Sequence, residues 1–318
     1  MLSRQHKLLV MKIVSLFSVV RGYNIPIIIL AQYLSAIFIL APDKRALDIL
    51  LDFKLFLIVF ASAITIASGY IINNFYDSQK DLINRPTKSM LDRLVSQKTK
   101  LSVYFSLNFL AVLLALIVSW RAFLFFSCYI FLIWFYSHKI KKYVIVGNLT
   151  SALLAVVPFF AILLYFYNKI LFEELENHTS HFAVISAHAM FLFLLLLIRE
   201  LIKDLENLKG DLANDYQTIP ILYNETVSKR IITGLTILTI LPVYILINIY
   251  DVGYMDIYFY VCFMVLVISL IYLWKANSKE HYLLLHNILK FLIVSGVFCI
   301  VLINPSVLWH GKNLLLKA

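Results

Sequence analysis

In the run Gly69 to Lys88, GYIINNFYDSQKDLINRPTK, residues Asn73, Asp77 and Asp81 recur at a spacing of four. On a helix that spacing sets all three on one face, about 6 Å apart per step. Two carboxylates and an amide stacked where an apolar segment ends are costly unless a cation neutralises them. Mg²⁺ carrying a phosphorylated substrate is one candidate, because it takes one or two carboxylates plus phosphate oxygens. A solvated acidic stretch just past a membrane span is the other reading. A second group, in RELIKDLENLKGDLANDYQTIP, weighs on the choice. There Glu200, Asp204, Asn207 and Asp211 are spaced four, three and four, again one helical face, with Lys203 and Lys209 interleaved and Arg199 one turn before Lys203. Alone it reads equally well as an amphipathic helix end with ordinary ion pairs. Two such groups at the same side of a membrane could hold two Mg²⁺ ions about a diphosphate, with Lys and Arg neutralising the remaining charge.

The elements that must position these residues are apolar spans. The 318 residues are 62% hydrophobic and only 14% charged, with a mean hydropathy of +0.86. Such a composition excludes a soluble protein, and the many runs of roughly 18 to 25 apolar residues fit the hydrocarbon core. Nine spans are expected, near 22–41, 54–74, 101–119, 122–138, 144–167, 182–202, 230–250, 255–274 and 284–304. The third and fourth are separated only around Trp120 and Arg121, which predicts a tight helical hairpin. With the N-terminus cytoplasmic, the inside segments hold roughly 19 of the 28 Lys and Arg, a positive-inside bias that leaves the C-terminus outside. The net charge of +10 therefore needs no nucleic-acid partner. Two inside connections are long, 75–100 and 199–230, and both carry the polar groups. Loops of that length in a compact domain are commonly functional. The apolar run LLVMKIVSLFSVV near the start lacks a small-residue cleavage pattern and is expected to be retained as an interfacial lead-in. Cys128, Cys262 and Cys299 lie within apolar runs and imply no disulfide framework. The whole chain, 1–318, is expected to form one integral-membrane domain.

The first group resembles the N-D-x-x-D-x-x-x-D signature of the UbiA superfamily of intramembrane prenyltransferases. Here it reads Asn73-Asn74-x-x-Asp77-x-x-x-Asp81, followed by a family-like Asn84-Arg85-Pro86. The second is similar to that superfamily's R-E-x-x-K-D-x-x-D-x-x-G-D form, closed by Thr218-Ile219-Pro220 where a T-L-P-like tripeptide is usual. Between them, Tyr136 to Lys141 (YSHKIK) and Gly147-Asn148 resemble the family's Y-S-x-x-L-K and G-N elements, and Arg21-Gly22-Tyr23-Asn24 is similar to its R-P-x-N opening. The likeness runs through most of the chain in the same order. Two departures stand out: Asn74 and Asn207 each take a place where an aspartate is usual, and each removes one negative charge.

The resemblance implies an all-α polytopic fold bundled around a central cavity. It also implies Mg²⁺-dependent transfer of a prenyl group from a polyprenyl diphosphate to an acceptor within the membrane. Asp77, Asp81, Asp204 and Asp211 would hold Mg²⁺ and stabilise the leaving diphosphate, with Asn73 and Asn207 as further oxygen ligands. Asn24, Asn73, Arg85, Tyr136, Lys139, Lys141, Asn148, Arg199 and Lys203 are the corresponding substrate-binding candidates. An allylic cation needs a dry, electron-rich pocket, and Tyr70, Phe75, Tyr76 and Tyr136 lie nearest the motifs. His138 and His188 are candidate bases, although a single histidine near a span more often has a structural role. The second motif and the Asn84-Arg85-Pro86 continuation most resemble the geranylgeranylglyceryl phosphate branch, whose acceptor is a phosphorylated glycerol ether. An acceptor phosphate would suit the basic residues of 80–100, while an aromatic quinone precursor is the runner-up acceptor. A secondary transporter and a structural membrane protein are the alternatives from other classes. Transporter coupling sites usually sit near the bilayer midplane, whereas both groups here lie at span ends.

Overall fold

The computed structural model describes residues 4–166 and 179–309, and these are helical or loop, with no strand among them. Among the described residues, seven helices are long and apolar enough to cross a membrane: Phe53–Asn84, Gln97–Val118, Trp120–His138, Phe182–Glu206, Glu225–Asn248, Met255–Lys275 and Lys279–Ile303. Each coincides with one of the nine expected spans. The remaining two expectations, 22–41 and 144–167, correspond to the shorter apolar helices Ile25–Leu40 and Val146–Ala161. The last residue of the expected 144–167 span lies outside the described residues.

Phe53–Asn84 is the longest helix among the described residues and the most buried of the seven. Asp52 caps it, accepting from Leu55 N–H at 2.9 Å, which satisfies one of the free amides of the first turn. Small residues let neighbours approach closely. Ala61 packs in one cluster with Ala115, Ala122, Ala161, Ile58 and Phe126. Most of this helix is consequently buried, unlike the outer spans, whose Phe and Leu side chains face outward as lipid-facing surface would require. Thirty-two residues at about 1.5 Å each give about 48 Å, and roughly 20 of them suffice to cross a hydrocarbon core. Its last turns, carrying Asn73 to Asp81, therefore project beyond the apolar layer. Pro86 ends it by forcing Arg85 out of the helical region (φ −143°, ψ 64°) and starts the next short helix, Pro86–Asp92.

The stretches 75–100 and 199–230, expected as long connections, are mostly helical. The first is the projecting end of Phe53–Asn84, the Pro86–Asp92 helix and the start of Gln97–Val118; the second contains the end of Thr179–Glu206, then Leu208–Leu212, Ile219–Leu222 and the start of Glu225–Leu238. The expected hairpin around Trp120 closes through one extended residue, Ser119, whose hydroxyl caps the next helix through Ala122 N–H at 3.1 Å. The N-terminal helix Arg4–Val19 exposes Val10, Ile13, Val14 and Phe17 on one side. On the other, Ser15 bonds Leu91 O and Ser18 bonds Asp92. A helix with one packed polar side and one bare apolar side suits a position along the membrane interface. Cys128, Cys262 and Cys299 are free thiols.

Candidate active site

A cavity of about 340 Å³ opens between the helices. Its walls are apolar along Ile66, Ile133, Leu154, Leu192, Ile293 and Val297, and aromatic at Tyr70, Tyr129, Tyr136 and Phe159. At one end the lining turns polar, with Arg21, Asn24, Asn73, Arg199, Glu200, Lys203 and Lys290. An elongated apolar chamber with charge gathered at one end is shaped for an amphiphile with an anionic head.

The two motifs meet beside this polar end. Asp77 Oδ1 accepts from Lys141 Nζ at 2.6 Å and from Tyr216 Oη at 2.7 Å. Lys141 Nζ also lies 3.5 Å from Asn73 Oδ1. Lys80 Nζ lies 2.5 Å from Asp211 Oδ1 and 3.8 Å from the centre of the Tyr216 ring. Asp204 Oδ2 accepts from Asn148 Nδ2 at 2.7 Å. Asp81 is half-buried one turn beyond Asp77, with Arg21, Arg85 and Lys88 among the charges around it. Residues more than 120 positions apart are thus stitched together. Burial holds the Lys141 ammonium below its ordinary pKa against the pull of Asp77. It pushes the Asp211 carboxyl above its ordinary value, with Lys80 opposing. The Tyr216 hydroxyl is raised by burial and by Asp77, so it remains a proton donor to that carboxylate.

Other candidates fall into place around this core. Asn24 donates to Tyr70 Oη at 3.2 Å, and Tyr136 lines the cavity directly. Arg199 and Lys203 share Glu200, at 3.3 and 2.7 Å. Arg85 sits further out, bonded to the buried Glu206 at 3.2 Å, whose other oxygen lies 2.9 Å from His286 Nδ1. Lys139 is exposed at the helix end and has no hydrogen bond or ion pair to these groups among the described residues; the short turn Ile140–Lys142 carries Lys141 inward instead. Neither histidine candidate lines the cavity. His138 stacks on Trp134, and His188 is buried with Nδ1 2.8 Å from Val184 O. Phe75 and Tyr76 pack against each other outside the cavity. The basic residues of 80–100 are largely held by the protein itself: Lys88 by Asp92, Arg93 by Ser78 O and Lys100 by Asn74.

Asn74 belongs to a different network from its motif neighbours. It donates to Asp92 Oδ2 at 3.0 Å and accepts from Lys100 Nζ at 2.8 Å, and only 8% of it is exposed. Its amide therefore removes no charge from the Asp77 cluster. Asn207 is different: its Oδ1 is buried without a hydrogen-bond partner among the described residues.

Hard oxygen donors suit Mg²⁺. Asp77, Asp81, Asp204, Asp211 and Asn207 offer them, and the unpartnered Asn207 Oδ1 and Asp211 Oδ2 are buried acceptors that a cation would satisfy. The donor chemistry fits. Among the described residues, however, no three His, Cys, Asp or Glu groups already converge on one point. The carboxylates are held by Lys80, Lys141 and Asn148. Two contributors lay outside the motif-based candidates, Lys80 and Tyr216. Lys80 stands between Asp77 and Asp81 in the sequence, yet its partners at 211 and 216 are visible only in the fold.

The model of the UbiA prenyltransferase family matches residues 29–283. A digeranylgeranylglyceryl phosphate synthase of Methanobrevibacter smithii is 26% identical over 245 residues, covering 74% of this chain and 80% of that protein. That of Methanosphaera stadtmanae is 26% identical over 247 residues, covering 75% and 82%. The fold is similar to a structure of digeranylgeranylglyceryl phosphate synthase in membranes (TM-score 0.67, 18% identity, 94% of this chain and 99% of that one). It is also similar to a UbiA homologue of Archaeoglobus fulgidus bound to GPP and Mg²⁺ (TM-score 0.56, 15% identity, 90% and 99%).

Proposed function

Because the chain belongs to the UbiA prenyltransferase family, we propose that it transfers a prenyl group from a polyprenyl diphosphate to the hydroxyl of a phosphorylated glycerol ether, a geranylgeranylglyceryl phosphate or close analogue. The observation that carries this reading is the joining of the two acidic motifs, Asp77 to Tyr216 and Asp211 to Lys80, beside the polar end of an apolar cavity. The relatives named digeranylgeranylglyceryl phosphate synthases favour the acceptor. So does a pair of cations in the cavity wall: Arg21 and Lys290 rest over the rings of Tyr70 and Tyr23, and neither has a carboxylate within ion-pair distance among the described residues.

Asp77, Asp81, Asp204 and Asp211, with Asn73 and Asn207, are the groups that would hold Mg²⁺. When bound, Mg²⁺ neutralises charge that grows on the departing diphosphate. Arg199 and Lys203 flank the cavity as phosphate partners, and Lys141 orients Asp77. The acceptor oxygen bonds to the allylic C1 as the bond from C1 to diphosphate breaks, and the hydroxyl proton is released. Apolar walls exclude water from the allylic centre, and the faces of Tyr70 and Tyr136 supply electron density near it. Ile25–Leu40 and Val146–Ala161 complete nine crossings of a bacterial-type plasma membrane. In this arrangement the single domain keeps its N-terminus cytoplasmic and its C-terminus outside.

A radiolabelled transfer assay in proteoliposomes tests the reading. Geranylgeranyl diphosphate is offered with geranylgeranylglyceryl phosphate, and in parallel with aromatic quinone precursors, with and without Mg²⁺. The expected result is Mg²⁺-dependent label in the glycerol-phosphate lipid. Label in an aromatic product would replace the acceptor, and no transfer to any acceptor would refute the proposal.

A further inference from the structure

Lys80 occupies an unusual place for a cation. Its ammonium is 2.5 Å from Asp211 Oδ1, and its side chain is only 16% exposed. It also rests 3.8 Å from the centre of the Tyr216 ring, whose hydroxyl donates to Asp77. The Asp211 side chain is 1% exposed, so an unpaired charge there would be strongly unfavourable. Lys80 supplies the neutralisation from within the chain. It is anchored on both sides, by a carboxylate and by an aromatic face.

The lysines divide the carboxylates: Asp77 and Asp211 each have one within ion-pair distance, while among the described residues Asp81 and Asp204 have none. Lys80 and Lys141 return two positive charges through direct contact with Asp211 and Asp77. What remains for a divalent ion is Asp81, Asp204 and the unpartnered Asp211 Oδ2, a set suited to one Mg²⁺ alongside phosphate oxygens, where the motif spacing by itself suggested two.

We propose that Lys80 is a resident cation of the diphosphate site, filling at Asp211 the position a second divalent ion would take, so that the protein binds one divalent ion with its substrate. An ammonium has three N–H donors, enough to hold Asp211 and reach a phosphate oxygen at once. The inference rests on the prenyl-diphosphate reading above and assigns to Lys80 both substrate contact and the metal count.

The test counts Mn²⁺ bound to the purified, detergent-solubilised full chain by electron paramagnetic resonance, alone and with the inert analogue geranylgeranyl S-thiolodiphosphate. Wild type and Lys80→Arg are expected to bind one Mn²⁺ per chain with the analogue, and Lys80→Met two. Lys80→Met should also have a lower Tm than wild type without divalent ions and a larger rise in Tm on adding Mn²⁺. Two Mn²⁺ in the wild type would overturn the role of Lys80 while leaving the prenyl-diphosphate reading intact, and this count holds even if Lys80→Met does not fold. One Mn²⁺ in a folded Lys80→Met, with an unchanged titration midpoint, would overturn it as well. No Mn²⁺ in the wild type with the analogue present would remove both readings together.

Discussion

The Gly210 amide donates to Asn84 Oδ1 at 3.1 Å, and the Asn84 side chain fills the space that a Cβ at position 210 would need. This contact locks the last residue of the Phe53–Asn84 helix onto the short helix Leu208–Leu212 that presents Asp211. Lys279 reinforces it by donating to Asn84 O at 2.7 Å. Gly210→Ala forces the two motifs apart. We expect it to cost about 1–3 kcal/mol of stability and at least about tenfold in transfer rate. Thermal melting in detergent and the transfer assay check both numbers. Pairing it with Asn84→Gly should recover part of the melting temperature, because the two substitutions act on one contact.

Asp77 and Asp211 sit on different motifs but in the same chain of contacts. Replacing either with Ala should lower prenyl transfer by about 10²-fold or more while leaving membrane insertion and monodispersity intact. Activity near wild type in either variant would contradict the proposed metal site.

Tyr216 serves two partners with two parts of its side chain. Tyr216→Phe keeps the ring beneath Lys80 and removes the hydroxyl that donates to Asp77. Loss of a hydrogen bond to a charged group costs about 1.5–3 kcal/mol. The effect should appear in kcat and in the Mg²⁺ concentration for half-maximal rate. Tyr216→Leu removes both functions and should be more severe.

Lys290 lines the same cavity as Arg199 and Lys203, rests over the Tyr23 ring and has no ion pair among the described residues. Lys290→Gln should raise KM for a phosphorylated acceptor by about tenfold and change KM for the prenyl diphosphate little. Equal shifts in both would place Lys290 outside the acceptor site.

Burial raises the Asp211 carboxyl above its ordinary pKa, with Lys80 pulling the other way. Protons therefore compete with Mg²⁺ at a higher pH than for a solvated aspartate. Divalent-ion affinity, measured by calorimetry from about pH 8 to about pH 5, should begin to fall above the ordinary range near 4. For metal-free protein the sign is opposite. The folded state holds this proton more tightly than the unfolded chain, so this group's contribution to stability grows as pH falls through its raised pKa and is complete below the unfolded value.

Much of the site was legible because its chemistry is written in local spacing. The repeat of four from Asn73 to Asp81 predicts one helical face, and the helix does run on to Asn84. Expecting a loop at 75–100 conflicted with that same periodicity: hydropathy ends where the apolar layer ends, and the helix does not. Lys139 and Lys141 were indistinguishable in sequence, because only a tight turn decides which of the two faces inward. Tyr216 and Lys80 needed tertiary contacts that span more than 100 residues, and no local pattern announces those. His286 and Glu206 likewise meet from separate helices.

Asn74 has a consequence for how chains of this kind are compared. Counting aspartates along the first motif is a convenient gauge of whether a relative retains its chemistry, and here the gauge misreads. Position 74 is bonded to Asp92, which also takes Ser18 and Lys88, while Lys100 closes the other side. A carboxylate at 74 would face Asp92 across the same 3.0 Å that now holds a hydrogen bond, and like charges at that distance repel. The two positions are therefore coupled in this chain. A lineage that restores an acid at 74 is expected to change residue 92 along with it.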